Sequence, residues 1–364
     1  MGKLSKKSKI IIIISAVLGS IVITYFGGSL IATSAVDASI FNHRTELSEL
    51  DENPYYLLHK TRDDYSSLSS RKEFIIKHNK LNLQAYLYEQ ANPNGLVIAT
   101  HGVSSFADSD QAQIHDYFYN KGWDVLTFDM VGCGRSEGKN MAGLYESKYI
   151  VDSVLKYVSS DDSLKEMPIC LIGHSWGAYG VTSSSKNHEK VYAIAALSGY
   201  NAPNEMKYEY VKNHQSPAFV LGKPGLDFSL VLTKGQKAFD KASSEIKKHQ
   251  DIDYMIVQGS DDDIVYYGAS LYSCFKKKTP ENVSLEYIEN GNHVGIWRST
   301  AAVSYYQEVR NQYSELEKQY KGNIPEDSLN EFLLSVDKEK TSELNLSLMD
   351  KINDMFLNSL TNIK

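Results

Sequence analysis

The sequence predicts an α/β fold with a mostly parallel sheet, helices on both faces of that sheet and one hydrophobic helix ahead of it. Three observations support this prediction. Apolar segments as short as buried strands alternate with helical segments, as strands and crossover helices of a parallel sheet do. A long uncharged apolar segment stands at the N-terminus, and one stretch in the middle of the chain interrupts the alternation, which predicts an insertion between two strands.

The N-terminal segment, residues 1–36, has the pattern of a membrane anchor. Four lysines lie within the first nine residues, a strongly apolar run covers Ile10–Phe26, and the next charged residue is Asp37. A helix that spans the hydrocarbon core needs about 20 apolar residues. Lysines ahead of the run predict a cytoplasmic N-terminus. We therefore expect a single-pass protein of the cell membrane whose body lies outside the cytoplasm.

A cleaved signal peptide is the alternative, and it would make the mature protein secreted. Ala32-Thr33-Ser34 offers the small residues that a signal peptidase requires. The apolar core of a signal peptide usually has about 7–15 residues, and the run here is longer. The length therefore favours a retained anchor.

Charge and cysteine content exclude several classes of function. The formal net charge is −7, and the body is more acidic still because the lysine cluster lies in the anchor segment. Nucleic-acid binding needs clustered Lys and Arg, so we expect no such partner. The three cysteines, Cys133, Cys170 and Cys274, form neither a disulfide framework nor a C-x-x-C pair. We therefore expect no metal site.

The pattern of the body predicts its strands and helices in order. Residues 37–70 are polar and acidic and are expected to form a tether. Predicted strands cover Glu73–His78, Leu81–Tyr88, Gly95–Thr100, Trp123–Asp129, Met167–Ile172, Val191–Leu197, Asp253–Val257 and Val283–Ile288. Predicted helices cover Gln111–Asn120, Glu146–Val158, Trp176–Ser185 and Tyr267–Lys278. The first two strands form a hairpin around Asn79-Lys80.

These elements divide the body into a core and two additions. The core comprises residues 71–199 and 251–298. Residues 200–250, rich in Tyr, Phe and Lys, form the insertion. Residues 299–364 form a helical tail, whose last helix places on one face Met349, Ile352, Phe356 and Leu360.

The motif Gly173-His174-Ser175-Trp176-Gly177 fits G-x-S-x-G, in which a serine lies at a sharp turn from a strand into a helix. Glycines on both sides let the backbone pass without Cβ clashes. An apolar strand directly before the motif and a helical pattern directly after it favour this interpretation over a small-residue turn of a nucleotide-binding fold. Ser175 is therefore the candidate nucleophile.

A serine hydroxyl needs a general base, and the base needs an acid that orients it. Three adjacent aspartates, Asp261 to Asp263, follow the strand that runs into Gly259, and the next strand leads to His293. His293 is the candidate base, and the acid is one of the three aspartates.

The other histidines fit the role of base less well. Five of them lie in polar stretches and are expected at the surface, namely His59, His78, His188, His214 and His249. His174 adjoins the nucleophile but is expected to point away along the turn. His101 is expected to anchor its own loop.

The tetrahedral oxyanion of an acyl transfer needs two backbone N–H donors. The residue after the nucleophile, Trp176, is expected to supply one. The loop after the strand Gly95–Thr100 is expected to supply the other from Val103, and Gly102 permits the close approach of that loop.

These motifs resemble those of the α/β-hydrolase superfamily, in particular esterase and monoacylglycerol-lipase-like serine hydrolases and membrane-anchored bacterial members. The resemblance covers residues 95–295 and rests on His101-Gly102, Asp129-Met130-Val131-Gly132-Cys133-Gly134-Arg135-Ser136-Glu137-Gly138, Gly173-His174-Ser175-Trp176-Gly177, Gly259-Ser260-Asp261-Asp262-Asp263-Ile264-Val265 and Gly291-Asn292-His293. The chain departs from the family at Val131, where Arg is frequent, and at Tyr266, where Pro often follows the acid. Cys133 is expected to pack rather than to react.

The resemblance implies an eight-stranded sheet with a cap, residues 200–250, inserted after the sixth strand. It implies that Asp262, three places after Gly259 and followed by an apolar pair, is the acid that orients His293. It also implies a two-step reaction through an acyl-enzyme on Ser175, with no cofactor. The expected partner is a small-molecule carboxylic ester.

Other functions use similar residues. A serine peptidase or an acyltransferase would use the same triad on the same fold. Dehalogenases and epoxide hydrolases carry an acid where this chain has Ser175, which disfavours both. A membrane-tethered binding protein without catalysis is a different class, but such scaffolds usually lose a triad member and none is missing here.

Overall fold

The computed structural model of the chain describes residues 5–48, 53–109, 111–184, 188–214 and 222–361. Helices of the described residues are α1 Lys6–Phe41, α2 Pro54–Leu57, α3 Ala112–Asn120, α4 Glu146–Ser160, α5 Trp176–Ser183, α6 Pro203–His214, α7 Lys223–Lys234, α8 Ala242–Lys248, α9 Leu271–Phe275, α10 Thr300–Gln319, α11 Glu326–Ser335, α12 Lys338–Thr341 and α13 Leu346–Thr361. Short 3₁₀ helices cover Arg62–Asp64, Ser66–Leu68 and Gly235–Phe239.

An eight-stranded sheet forms the centre of the body. Its strands are β1 Lys72–His78, β2 Leu81–Tyr88, β3 Leu96–Thr100, β4 Asp124–Phe128, β5 Ile169–His174, β6 Val191–Leu197, β7 Asp253–Gly259 and β8 Val283–Ile288, in the order β1-β2-β4-β3-β5-β6-β7-β8. β1 and β2 pair antiparallel around the turn at Asn79, β2 is antiparallel to β4, and the remaining pairs are parallel. The predicted mostly parallel sheet and its hairpin are confirmed.

Strand order decides where a site can form. The chain leaves β3 for β4 on one side and later returns to β5 on the other, so that Ile98 of β3 pairs with both Leu126 and Leu171. Ligands of open α/β sheets bind outside the carboxyl ends of strands that flank such a switch point. The residues after Thr100 and after His174 lie at that end.

Two apolar cores lie on opposite faces of the sheet. One contains buried side chains of α4, α5, α8 and α9, and the other contains those of α3 and α13. Every residue of β3, β4 and β5 is buried, as expected for strands covered on both faces. The predicted layers are therefore confirmed.

The N-terminal helix α1 is longer than its apolar run. Within the described residues it is the one helix long and apolar enough to cross a membrane, over Lys6–Ala38. Its apolar part is exposed, including the five consecutive isoleucines Ile10 to Ile14. Residues after Val36 continue the helix to Phe41, whose side chain is buried in the core of the body.

The segment 37–70, predicted as a tether, contacts the body at several points. Arg44 donates a 2.6 Å hydrogen bond to the carbonyl of Ser136, and Thr45 forms an isolated β-bridge with Cys133. Leu58 and Leu68 are completely buried. The isolated leucines of this polar segment have no period, which is why the sequence did not predict their burial.

The insertion and the tail both consist of helices. Residues 200–250 contain α6, α7, a 3₁₀ turn and α8, between β6 and β7. The last helix, α13, buries the predicted Met349, Ile352 and Phe356, and Leu360 is partly buried beside them. The helix predicted over Tyr267–Lys278 is shorter, because it begins only at Leu271, after the Ser270 side chain accepts a hydrogen bond from the N–H of Ser273 at 3.2 Å.

Candidate active site

Ser175 lies in a strained turn between β5 and α5. Its backbone φ and ψ are 55° and −111°, in the left-handed half of the map that L-residues rarely occupy. A Cβ atom at Gly173 would lie 2.6 Å from the carbonyl carbon of Gly177, and one at Gly177 would lie 2.6 Å from Oγ1 of Thr100. The two glycines are therefore required for this turn to pack against β3.

The structure brings Ser175, His293 and Asp262 into one hydrogen-bonded chain. The Ser175 hydroxyl lies 2.9 Å from Nε2 of His293. Nδ1 of His293 lies 2.9 Å and 3.0 Å from the two carboxylate oxygens of Asp262. With Nδ1 carrying its proton, the imidazole donates to Asp262 and accepts from the serine. All three side chains are buried or nearly so.

The Asp262 carboxylate is fixed by its own loop as well as by His293. One oxygen accepts the backbone N–H of Val265 at 2.8 Å and that of Ile264 at 3.1 Å, and the other accepts from the Gln258 amide at 3.2 Å. Burial alone would raise the pKa of Asp262, but the His293 charge and hydrogen bond and the Val265 N–H outweigh it and hold the pKa below its usual value. The carboxylate is therefore ionised at neutral pH.

The expectation that His174 points away from the site is wrong. Its Nε2 donates a 2.9 Å hydrogen bond to the carbonyl of His293, and the two rings are 4.8 Å apart. Side chains of a strand alternate between faces, so His174 shares the face of Cys170 and Ile172, where it packs on Trp297. His174 thus supports the loop that carries the base. The sequence signal for this orientation was the position of His174 at the end of β5, because side chains alternate along a strand.

Two histidines expected at the surface are buried instead. His59 and His78 are 3% and 2% exposed. His78 bonds Ser153 and Glu146, each at 2.9 Å, because the end of β1 packs on α4. His188 and His249 are partly buried against each other. The side chain of His214 lies outside the described residues.

The loop after β3 approaches the nucleophile closely. A Cβ atom at Gly102 would lie 3.5 Å from Cβ of Ser175. His101 accepts the Met130 N–H at Nε2, 2.9 Å away, and donates from Nδ1 to the Gly102 carbonyl at 2.7 Å. The predicted anchoring role of His101 is confirmed. These bonds fix the backbone that leads into Val103.

Trp176 is the first residue of α5, and Val103 lines the same cavity as Ser175. The N–H groups of the first helical turn have no partner within the helix, so the Trp176 N–H is available to an acceptor beside Ser175. The Trp176 indole is buried and donates to the Leu144 carbonyl at 3.1 Å, which fixes the start of the helix.

The glycine-rich loop after β4 is linked through Asp129 to the loop after β3, which carries Val103. Asp129 accepts the N–H of Ala107 at 2.9 Å and that of Arg135 at 3.0 Å. Gly134 has a φ of +52°, and a Cβ there would overlap the Asp129 carboxylate. Val131 is buried in the core, and so is Cys133, which packs as expected.

A cavity of about 390 Å³ opens above Ser175. Its walls come from the end of α1, the loop after β3, the residues just before α4 and just after β6, the cap helix α6, and the loops of Asp262 and His293. They include Val36, Ile40, Phe41, Val103, Leu144, Tyr200, Met206, Val211, Ile264 and Val294. Two charged residues of the wall, Asp37 and Lys207, form an ion pair with each other. Burial lowers the pKa of the Lys207 ammonium, and Asp37 opposes this shift.

Among the described residues, no group of three or more His, Cys, Asp or Glu side chains is arranged to hold a metal ion. The Asp262 carboxylate and the His293 imidazole are hydrogen-bonded to each other, and the imidazole is also hydrogen-bonded to Ser175. The arrangement therefore places a serine hydroxyl against an oriented imidazole.

Residues 91–205, less than half of the chain, match the family described as "Serine aminopeptidase, S33", and this segment holds β3 to β6 and the Ser175 turn. The strand order of the sheet and the turn from strand to helix at Ser175 are both features of a single known fold. The chain has the α/β-hydrolase fold. No protein of curated function matches its sequence significantly.

Two solved structures are similar to this chain over most of their own length. The esterase Pf2001 from Pyrococcus furiosus is 18% identical, with 72% of this chain and 96% of that chain covered at a TM-score of 0.48. Est1E from Butyrivibrio proteoclasticus, solved with ferulic acid bound, is 20% identical, with 66% and 98% covered at a TM-score of 0.47.

Proposed function

We propose that this α/β-hydrolase cleaves carboxylic esters through an acyl-enzyme on Ser175. The observation that supports the proposal most directly is the 2.9 Å separation of the Ser175 hydroxyl from Nε2 of His293, with Asp262 on the opposite side of the ring. A serine in a strained, left-handed turn that is hydrogen-bonded to an oriented imidazole is the arrangement that nucleophilic catalysis requires.

In the first step His293 takes the hydroxyl proton as Ser175 attacks the ester carbonyl. The oxyanion accepts hydrogen bonds from the backbone N–H groups of Val103 and Trp176. His293 then gives the proton to the departing alcohol. In the second step His293 deprotonates a water molecule that attacks the acyl-enzyme, then returns the proton to the Ser175 oxygen as the acyl bond breaks and the acid is released. Asp262 stabilises the imidazolium in both steps.

The cavity favours esters over the substrates of an aminopeptidase, although the matched family carries that description. An aminopeptidase must bind the free amino group of its substrate, which calls for an available carboxylate. Asp37 is the sole carboxylate among the described residues that line the cavity. Lys207 pairs with it, and Lys234 lies 3.7 Å from its other oxygen. A substrate ammonium would have to displace both lysines.

We also propose that α1 anchors the enzyme in the cell membrane and that the body lies outside the cytoplasm. The exposed apolar surface of Lys6–Ala38 and the lysines ahead of it support this arrangement. In this arrangement residues 71–199 and 251–298 form the catalytic core, residues 200–250 the cap, and residues 299–364 the tail.

A labelling experiment and a substrate panel test the proposed reaction. We expect a fluorophosphonate to label the full-length protein in detergent, and we expect Ser175→Ala to lose both the label and the esterase activity. Ser159→Ala, a change at an exposed serine of α4, is the matched control and should keep both. Undiminished labelling of Ser175→Ala would place the nucleophile elsewhere. Aminoacyl amides turning over faster than every ester of the panel would indicate a peptidase.

A further inference from the structure

A second cavity, of about 310 Å³, lies between α1 and the cap. On the α1 side its wall is formed by Tyr25, Gly28, Ser29, Ala32, Thr33 and Val36. Positions separated by three or four residues lie on one face of a helix, so this wall is a continuous stripe along α1. On the cap side the wall includes Val211 and Leu226.

The second cavity adjoins the cavity above Ser175. Val36, Lys207 and Val211 line both of them. The same face of α1 continues to Ile40 in the active-site cavity. At 1.5 Å per residue, the distance along α1 from Tyr25 to Ile40 is about 22 Å. The two cavities therefore adjoin along one face of α1, over a length close to that of a long fatty acyl chain, and the inner one contains the nucleophile; we call the two together the path.

Close packing holds α1 on the cap at this place. The Gly225 N–H donates to the Tyr25 hydroxyl at 3.1 Å, and a Cβ atom at Gly225 would lie only 2.7 Å from Cβ of Ser29. The rings of Phe26 and Phe228 are 4.6 Å apart. Where the cavities meet, Asp37 pairs with Lys207, so the path contains no unpaired charge from either residue.

The geometry of α1 relates this path to the membrane. The helix has 36 residues, or about 54 Å at 1.5 Å per residue, whereas about 20 residues cross the hydrocarbon core. A span that begins at Ile10 ends near Ser29, so the second cavity, whose wall begins at Tyr25, starts at the end of the span. On the cap, α7 exposes Phe228, Val231 and Leu232 on one face, with 41%, 46% and 59% of each residue accessible. An apolar surface beside a membrane helix is suited to contact with lipid.

We propose that α1 and the cap form an acyl-chain site, in which a membrane ester lipid lays its chain along α1 from the outer leaflet to Ser175. The proposal rests on the proposed ester hydrolysis and names its substrate class. The chain passes from bilayer to active site along apolar walls without crossing water. The anchor is thus part of the substrate site as well as an attachment.

A matched pair of substitutions on α1 tests the path. Ala32 lines the second cavity, whereas Ala35, three residues further along, lines neither cavity. We expect Ala32→Phe to fill the path. The kcat/KM for a long-chain ester in vesicles, divided by the kcat/KM for a soluble butyryl ester, should then fall by tenfold or more. Ala35→Phe should leave that ratio unchanged. An unchanged ratio in Ala32→Phe, or an equal fall in Ala35→Phe, would overturn the proposal.

Crosslinking separates this proposal from the proposed reaction, since it needs no turnover. Ser175→Ala protein is placed in phosphatidylcholine vesicles that carry an ester lipid with a photoreactive group at the end of its acyl chain. We expect crosslinks to residues of the second cavity, such as Thr33 and Leu226, and their loss on adding Ala32→Phe. Absence of these crosslinks would refute the acyl-chain site. Their presence in a protein that cleaves no ester would keep the site and reject the reaction.

Discussion

At the scale of single residues, burial distinguishes the three adjacent aspartates that follow β7. Asp262 is buried and bonded to His293, while Asp261 and Asp263 are exposed. Two backbone N–H groups of the same loop hold the Asp262 carboxylate in place before any substrate arrives. Its neighbours in sequence have no such relation to the imidazole.

We predict that Asp262→Asn lowers kcat by about ten-thousandfold, the scale of loss when the orienting carboxylate of a serine protease is replaced by its amide. The amide stabilises the wrong tautomer of His293 and cannot balance the imidazolium. Asp261→Asn and Asp263→Asn should keep most of the activity, because exposed carboxylates contribute little. The measurement is kcat on one soluble ester for the three variants. If Asp261→Asn or Asp263→Asn were the crippled enzyme instead, that aspartate and not Asp262 would be the acid.

The sequence predicted the residues of the serine–histidine–aspartate chain because each is marked locally. Ser175 is marked by its glycines, and His293 and the three aspartates Asp261 to Asp263 by their places after strands; the resemblance to α/β-hydrolases then indicated Asp262. The Asp37–Lys207 pair had no local mark, and the place of His174 at the end of a strand indicated its face of the sheet but not its contacts. The role of His174 depends on its contacts with Trp297 and His293, and that of the ion pair depends on the contact between α1 and the cap. Periodicity does not reveal contacts between distant segments.

At the scale of elements, the tail helix α13 completes the fold by covering one face of the sheet. Phe356 is completely buried, with its ring 5.4 Å from that of Phe118 and 6.0 Å from that of Trp123. Asn353, on the same helix, accepts a 2.9 Å hydrogen bond from the Trp123 indole. The period of the sequence predicted the apolar face of α13, but it did not predict which helix this face packs against.

We predict that Phe356→Ala destabilises the folded protein by about 3–5 kcal/mol, the usual cost of removing a buried aromatic ring. The cavity left between α3 and α13 cannot collapse easily because Trp123 and Phe118 are held by the sheet core. Asn358→Ala, at an exposed position of the same helix, is the control and should change stability by less than about 0.5 kcal/mol. Chemical denaturation of both variants, followed by tryptophan fluorescence, gives the comparison. Equal stability of the two would mean that α13 does not seal the core.

At the scale of the whole molecule, α1 and the body are joined by packing as well as by chain connection. α1 continues without a break into the body, where Phe41 enters the core and Asp37 pairs with two lysines of the cap. The sequence predicted a membrane segment that ends near Val36 and a tether after it. It did not reveal that the same helix forms a wall of the active-site cavity, since the change from lipid contact to protein contact occurs within one uninterrupted helix.

This continuity favours a retained anchor over a cleaved signal peptide. Cleavage near Ala32-Thr33-Ser34 would remove Tyr25 and Ser29 from the cap and would leave a new charged N-terminus beside Asp37. We therefore predict that the protein stays in the membrane fraction after carbonate and high-salt washes, and that N-terminal sequencing of the native protein finds residues ahead of Val36. Protease added to intact bacterial protoplasts should digest the body while a cytoplasmic marker stays intact, because lysines before the apolar run hold the N-terminus inside. A soluble mature form that begins near Val36 would establish cleavage instead, and a body protected from the protease would reverse the orientation.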